Sequence, residues 1–138
     1  MSTANKEIAA RYGEDLWGRG NVAVVEELFA PDVVDNHPFP GQEPGRDGVR
    51  QILKMFREAF PDLQVRNEEV LAEGYKVVLR WTANGTYKGG LLGIPSSGQK
   101  VKLSGIDVLR ISNGKIVERW AEDNGLEMMQ QLGVIPQS

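Results

Sequence analysis

The side chains that could do chemistry in this sequence are one imidazole and a few carboxylates. His37 is the single histidine and lies in Asp35-Asn36-His37-Pro38. An imidazole titrates near neutrality and can give a proton to a substrate enol or take one from it. His37 could equally be a loop histidine that hydrogen-bonds to the neighbouring backbone. One histidine and no cysteine exclude multi-histidine metal sites, cysteine-bound metals and thiolate nucleophiles.

Asp107 is a carboxylate in an apolar strand pattern. If residues 100–111 form a strand, alternate side chains point to one side. That side carries Val101, Leu103, Gly105, Asp107, Leu109 and Ile111. An ionised carboxylate buried there without a partner is unfavourable, so we expect a raised pKa or a charged neighbour. Two interpretations remain open: an ion pair with Arg80 or Arg119 across the sheet, or a role in a cavity.

Two further acids, Glu122 and Asp123, end the last predicted strand. Alternation places Glu122 on the face of Trp120 and Asp123 on the face of Arg119, so both acids cannot face one pocket. A bulge at the strand end could re-aim one of them. Of the two, we favour Asp123 as the carboxylate that faces the pocket, because it stands where the chain turns into the last helix.

Aromatic side chains could form a flat apolar slot for a substrate, although each could also be ordinary core. Phe56 and Trp120 are the leading pocket candidates. The remaining substrate-binding candidates are Trp17, Phe39, Trp81 and Tyr87, together with Asn36 and Glu122 beside the chemical groups. The apolar, glycine-flanked segment 91–95 suits a lid over the pocket or a dimer contact.

The elements that must position these groups are helices first and strands second. Apolar spacing predicts a helix from Ser2 or Thr3 to Trp17, a short one from Asn21 to Phe29, and a third over 49–60. The proline- and glycine-rich stretch 33–48 is expected to be a loop.

The second half of the chain alternates with a period of two. This pattern predicts strands near 63–71, 75–86, 100–111 and 115–122, a hairpin at Asn113-Gly114, and a last helix over 125–132. Helices followed by long antiparallel strands indicate an α+β fold, in which a curved sheet folds around the helices and leaves a pocket.

Length and composition bound the class of protein. The 138 residues suit a single domain, 1–138, and the net charge of −3 offers no basic stripe for nucleic acid. No apolar window is long enough for a membrane span, and no secretory signal is evident, so we expect a cytoplasmic protein.

Five segments, in order, resemble the SnoaL-like polyketide cyclases (ester cyclases) of the NTF2-like superfamily. They are DNHPFPGQEPGRDGV (35–49), AFPDL (59–63), NGTYKGGLLGIPSSGQ (84–99), SGIDVLRISNGKIVERW (104–120) and QQLGVIP (130–136). The resemblance implies a cone-shaped α+β barrel whose curved antiparallel sheet wraps around N-terminal helices. It also implies ring closure of polyketides by intramolecular aldol condensation with no cofactor and no metal.

The resemblance extends to the site with one departure. A histidine at position 37 matches the family motif, but the family's catalytic Asp region holds Ala121 and Asn124 here, and the carboxylates fall at Glu122 and Asp123. Asp123 would remove a proton alpha to a carbonyl, His37 would donate to the oxyanion, and Asp107 would orient or tune the site. The alternatives are a hydroxylase or hydrolase using the same pocket, or a binding module without chemistry. The expected partners are a hydrophobic small-molecule substrate and a second copy of the chain, a homodimer formed through the outer sheet face.

Overall fold

The structure is a computed structural model that describes residues 2–136. Its helices are α1 (Ser2–Arg11), a π-helix (Tyr12–Gly18), α2 (Val24–Leu28), α3 (Gly45–Ala59) and α4 (Gly125–Gln131). Its strands are β1 (Phe29–Asp35), β2 (Gln64–Glu73), β3 (Lys76–Thr86), β4 (Lys100–Ser112) and β5 (Lys115–Asp123). This architecture confirms the α+β fold expected from the sequence. No helix among these residues is long and apolar enough to cross a membrane.

One five-stranded sheet, in the order β1-β5-β4-β3-β2, organises the molecule. Strands β2 to β5 form an antiparallel meander, as the period-two pattern predicts. The concave face of the sheet packs against the N-terminal helices through a buried apolar cluster that includes Leu16, Phe29, Leu79 and Leu109. A second cluster, around Phe60, lies at the other end of the sheet, where α4 covers it.

Strand β1 was not expected, and it corrects two predictions. Residues 29–35 are a strand parallel to β5, where a helix end and a loop were predicted. Pro31 cannot donate a ladder hydrogen bond, but β1 is an edge strand, where proline is tolerated. The pairing partner lies more than eighty residues downstream, with Asp35 opposite Arg119, so no local pattern could reveal it.

The first helix changes its winding at Tyr12. One continuous helix to Trp17 was predicted, but residues 12–18 form a π-helix, an arrangement often found at functional sites. Gly13 lies in this turn against β2, where a Cβ atom would come within 2.0 Å of the Asn67 side-chain oxygen. The wider turn and the missing side chain place Tyr12 and Trp17 against the concave sheet face.

The third helix begins at Gly45, four residues before the predicted start. Arg46 in its first turn donates from Nε and Nη2 to the Phe29 carbonyl at 2.9 and 2.7 Å. This tie fixes the start of α3 beside β1, and so fixes the position of the loop that joins them.

Candidate functional site

A cavity lies between the concave sheet face and the helices. It holds about 880 Å³ of space free of atoms, counting the part open to solvent at its mouth. Its walls are mainly apolar and include Trp17, Phe39, Phe56, Leu79 and Met128. The polar groups in its lining are few, as in ligand pockets generally. They belong to Tyr12, His37, Asp107, Arg119, Asp123, Asn124 and the indole N–H groups of Trp17 and Trp81.

Asp107 lies on the concave face of β4 with its neighbours Leu109 and Ile111, and it is only 3% exposed. Its Oδ2 accepts a short hydrogen bond from the Tyr12 hydroxyl, and its Oδ1 accepts one of 3.1 Å from Trp81 Nε1. Arg119 on β5 supplies the charged neighbour, with Nη2 3.9 Å from Asp107 Oδ2. Of the two partners considered from the sequence, the structure selects Arg119, and Arg80 pairs with Glu69 instead. Asp107 also lines the cavity, so the ion pair and the cavity position occur together.

Arg119 is the centre of a buried polar network. Its Nε donates to the Tyr12 hydroxyl at 2.6 Å, and its Nη1 pairs with Asp35 Oδ2 at 2.7 Å. Burial alone would lower the pKa of Arg119. Tyr12, Asp107 and Asp35 together outweigh that effect, so the pKa of Arg119 is raised and the guanidinium remains positive. Burial also raises the pKa of the Tyr12 phenol, and Asp107 raises it further against the opposing charge of Arg119. Tyr12 is therefore neutral at physiological pH and holds its proton toward Asp107.

Asp35 connects this network to the loop that carries His37. Its Oδ1 accepts from the His37 backbone N–H at 3.1 Å, and its Oδ2 accepts from Gln42 Nε2 at 3.0 Å. Gln42 in turn accepts from the Phe39 backbone N–H through Oε1 at 2.9 Å. One buried carboxylate thus positions the loop segment that brings His37 and Phe39 to the cavity.

Asp123 is the last residue of β5 and stands at the rim of the cavity. The residue is exposed overall, yet partial burial of its carboxyl group raises the pKa of Asp123, and the charges of Asp107 and Glu122 raise it further against that of Arg119. A carboxyl group that gives up its proton closer to neutrality is better matched to acid–base catalysis. Burial is the main physical cause of this shift.

His37 lies at the same rim, with a side chain 40% exposed. Its Nδ1 is 2.7 Å from the Ala121 carbonyl oxygen and 3.2 Å from the Ala121 amide nitrogen. Ala121 can therefore satisfy Nδ1 in either tautomer, as an acceptor or as a donor. Nε2, 3.5 Å from Glu122 Oε1, is left able to accept or donate a proton.

The aromatic candidates divide between the cavity and the rest of the molecule. Trp17, Phe39, Phe56 and Trp81 all line the cavity. Phe56 packs edge to face against Phe39 and Trp17, with ring centroids 5.6 and 6.4 Å apart. Trp81 lies flat over Gly105 of β4, where a Cβ atom would fall 2.5 Å from the indole ring. The cavity is therefore lined by several aromatic rings.

Trp120 and Glu122 do not line the cavity, which corrects their assignment as substrate-binding residues. Strand alternation turns both to the convex face of the sheet, opposite to Arg119 and Asp123. Lys76 Nζ lies 5.3 Å from the centre of the Trp120 ring there, and the Glu122 side chain is 80% exposed.

Tyr87 and Asn36 are also outside the cavity lining. Tyr87 is fully buried in the second apolar cluster, and its hydroxyl donates to the Ile94 carbonyl at 2.6 Å and accepts from the Leu91 amide. Tyr87 thereby anchors the glycine-rich loop, and no residue of 88–99 lines the cavity in this structure. Asn36 donates to Glu118 and to the Arg119 carbonyl, and its contact lowers the pKa of Glu118.

Three residues of the buried polar network were missed or undervalued in the sequence. Tyr12 was not singled out as a candidate within the first predicted helix, Arg119 was considered only as an ion-pair partner, and Asp35 only as part of the histidine motif. The alternation that put Arg119 on the face of Asp123 was a usable signal for Arg119. The other two depend on the π-helix and on the parallel strand pair, which no local pattern indicates. Within residues 2–136, no cluster of three or more His, Cys, Asp or Glu side chains could hold a metal ion.

The overall fold is similar to those of several solved structures. A candidate polyketide cyclase from Acidithiobacillus ferrooxidans is 29% identical, with TM-score 0.83 and 97% of each chain covered. A candidate SnoaL-like polyketide cyclase from Jannaschia sp. CCS1 is 27% identical, with TM-score 0.85, covering 98% of this chain and 95% of that one. AclR, a candidate hydroxylase from Streptomyces galilaeus, is 27% identical, with TM-score 0.86, covering 100% of this chain and 86% of that one.

No curated protein sequence matches the chain. The family model described as SnoaL-like polyketide cyclase matches residues 7–132, which is nearly the whole chain and includes both His37 and Asp123. The chain belongs to the SnoaL-like polyketide cyclase family.

Proposed function

We propose that this protein is an enzyme that closes a ring in a hydrophobic, polyketide-like substrate by intramolecular aldol condensation, with its own side chains and no cofactor. The observation that carries the proposal is the position of Asp123, a carboxylate of raised pKa at the rim of an aromatic cavity. The family and its cyclase-like relatives support the same class of reaction.

The proposed reaction needs one base and one acid. The ionised Asp123 carboxylate removes a proton from a carbon next to a carbonyl group, and the resulting enolate attacks a second carbonyl of the same molecule. A carbon–carbon bond forms, and the new alkoxide oxygen takes a proton from His37 Nε2. The donor is the imidazolium form, which becomes neutral imidazole in this step, and the Ala121 carbonyl accepts from Nδ1–H before and after the proton leaves Nε2. Acid–base catalysis of this kind contributes about 10²–10⁴-fold.

Asp107 acts in this proposal as a positioning residue. Both of its oxygens already accept hydrogen bonds, from Tyr12 and Trp81, and its negative charge raises the pKa of Asp123. It therefore tunes the base rather than removing the proton itself.

The substrate class follows from the walls of the cavity. Phe39, Phe56 and Trp17 form a connected edge-to-face series, and Trp81 lies opposite on the sheet. Such surfaces favour flat, largely apolar molecules, and holding a folded chain with its reacting carbons together lowers the entropic part of the barrier.

A hydroxylase using the same cavity is the second candidate, and the likeness to AclR favours it. Oxygen consumption during turnover separates the two reactions, because an aldol closure consumes no oxygen. Incorporation of labelled oxygen from water into the product would instead indicate hydrolysis.

The test of the proposed function is proton removal itself. The variant Asp123→Asn and its control Asp47→Asn, at an exposed carboxylate on α3 that pairs with Arg50, are incubated in deuterium oxide with 1-tetralone, a bicyclic ketone, and deuterium at the carbon next to the carbonyl is followed by NMR. We expect Asp123→Asn to lose the catalysed exchange by about 10²-fold or more, and Asp47→Asn to keep it. Equal exchange in Asp123→Asn and the unmodified protein would eliminate the proposed base.

A further inference from the structure

Two hydrogen-bond donors in the cavity wall play no part in the reaction proposed above. The indole Nε1–H of Trp17 is buried and has no hydrogen-bond partner among the described residues. A buried donor without a partner is unfavourable, and folded proteins leave few of them. Trp17 lines the cavity, so a bound molecule could supply the missing acceptor.

The second donor belongs to Arg119. Its hydrogen bonds are made by Nε, to Tyr12, and by Nη1, to Asp35. Nη2 carries two N–H groups and lies 3.9 Å from Asp107 Oδ2, which is beyond hydrogen-bond distance. The guanidinium carbon sits 5.6 Å from the centre of the Trp17 ring, so both donors belong to neighbouring groups in the same wall.

The charges around this wall select the kind of acceptor. The positive charge of Arg119 is already balanced by Asp35 at 2.7 Å and by Asp107 nearby. A ligand carboxylate or phosphate would meet these two acids as well as the guanidinium, and like charges at short range are unfavourable. A neutral carbonyl oxygen accepts hydrogen bonds without adding a charge.

From the unpartnered Trp17 indole beside the Arg119 guanidinium, we infer that these two residues form a binding site for a ketone or ester carbonyl oxygen on a flat ring system. This inference rests on the proposed function, because the carbonyl is the one whose neighbouring carbon loses its proton to Asp123. The two N–H donors hold the carbonyl oxygen in place while Asp123 removes the proton from the neighbouring carbon. The site thereby makes Trp17 a specificity residue as well as an aromatic wall.

The test measures binding and needs no turnover. The probes are 1-tetralone, the hydrocarbon tetralin of the same shape, and 1-naphthoate as the anion. We expect the ketone to bind on the order of tenfold more tightly than tetralin, the worth of one or two net hydrogen bonds, and 1-naphthoate to bind more weakly than the ketone. With ¹³C at the carbonyl, the infrared stretching band of the bound ketone should lie at lower frequency than in hexane.

The variant Trp17→Phe removes the indole N–H and keeps an aromatic ring. It should abolish most of the preference for ketone over tetralin and return the carbonyl band toward higher frequency. The control Trp120→Phe, on the convex face, should change neither reading. Thermal unfolding of each variant verifies that the fold is retained.

The result that would overturn the inference is a ketone bound no more tightly than tetralin by the unmodified protein, with no carbonyl shift. A Trp17→Phe variant with unaltered preference, or tighter binding of 1-naphthoate, would overturn it as well. The comparison between probes stands without any variant, so it holds even if Trp17→Phe fails to fold. Asp123→Asn should bind the ketone normally, so failure of this inference is distinguishable from failure of the proposed base.

Discussion

Asp35 and Arg119 face each other directly across the parallel pair of β1 and β5, and their side chains form a 2.7 Å ion pair. Both side chains are nearly buried, 8% and 12% exposed. The pair ties the edge strand to the charged centre of the cavity. Through the hydrogen bonds of Asp35 to the loop after β1, it also sets where His37 stands.

Replacing Asp35 with Asn should destabilise the fold strongly. The change leaves the buried guanidinium of Arg119 without its closest counter-charge, and breaking such a pair costs about 3–5 kcal/mol. Urea unfolding followed by tryptophan fluorescence gives the free energy of unfolding. The matched control is Asp47→Asn, in an exposed pair with Arg50, which should change stability by less than about 0.5 kcal/mol. Similar losses in the two variants would contradict this account of Arg119.

The rate of proton exchange should rise with pH as Asp123 ionises. Because the pKa of Asp123 is raised above the ordinary 3.8, the rising limb of the plot of exchange rate against pH should lie above pH 3.8. Asp107→Asn removes a negative charge that raises this pKa, so the limb should move to lower pH. Asp62→Asn, whose carboxylate bonds to Thr86 away from the cavity, is the control and should leave the limb in place.

The raised pKa of Asp123 also makes the stability of the fold depend on pH. The rate of exchange should rise with pH, whereas this contribution to stability should fall. A raised pKa in the folded state means that the folded protein binds the proton more tightly than the unfolded chain. The contribution of Asp123 to stability is therefore full at low pH and is lost as pH rises through the raised pKa. Asp123→Asn should become more stable relative to the unmodified protein above that pKa. Unfolding midpoints of both proteins from acid to neutral pH check this, and a constant difference would count against a raised pKa.

Removing the Tyr12 hydroxyl should weaken the network from both sides. In Tyr12→Phe, Arg119 Nε loses its acceptor and Asp107 Oδ2 loses its donor, and each buried group left unpaired costs about 1–3 kcal/mol. Calorimetric unfolding should show a clear loss of stability. Tyr75→Phe, at a residue 64% exposed, is the control. If the two variants unfold alike, the Tyr12 hydrogen bonds contribute nothing.

Gly105 should tolerate no side chain without moving Trp81. A Cβ atom there would meet the indole ring at 2.5 Å and the Glu122 carbonyl at 2.7 Å. Gly105→Ala should therefore displace Trp81, weaken its hydrogen bond to Asp107 and shift its fluorescence. Ser104→Ala, one position earlier in β4, adds no atom and should leave the spectrum unchanged. An unchanged spectrum in Gly105→Ala would show that the Trp81 indole does not have to move to accommodate a Cβ atom at position 105.

Much of the fold follows from local pattern. The four antiparallel strands come from period-two alternation and turn chemistry, which act between neighbours in the chain. The same alternation placed Asp107 among aliphatic side chains and separated Asp123 from Glu122. The segments resembling the SnoaL-like family pointed to the right family for the whole chain. These features depend on residues close together in sequence, so the sequence alone determined them.

The tertiary structure decided how the polar groups meet. Two features bring the polar residues together: the parallel pairing of β1 with β5 and the π-helix at Tyr12. They join residues up to 107 positions apart, and the local sequence around these residues does not indicate the contact. Trp120 and Trp17 are both aromatic residues beside polar ones, yet only Trp17 reaches the cavity. Which face of an element becomes the inside is set by the partner packed against it. A buried charge such as Arg119 is stable only where several distant partners converge.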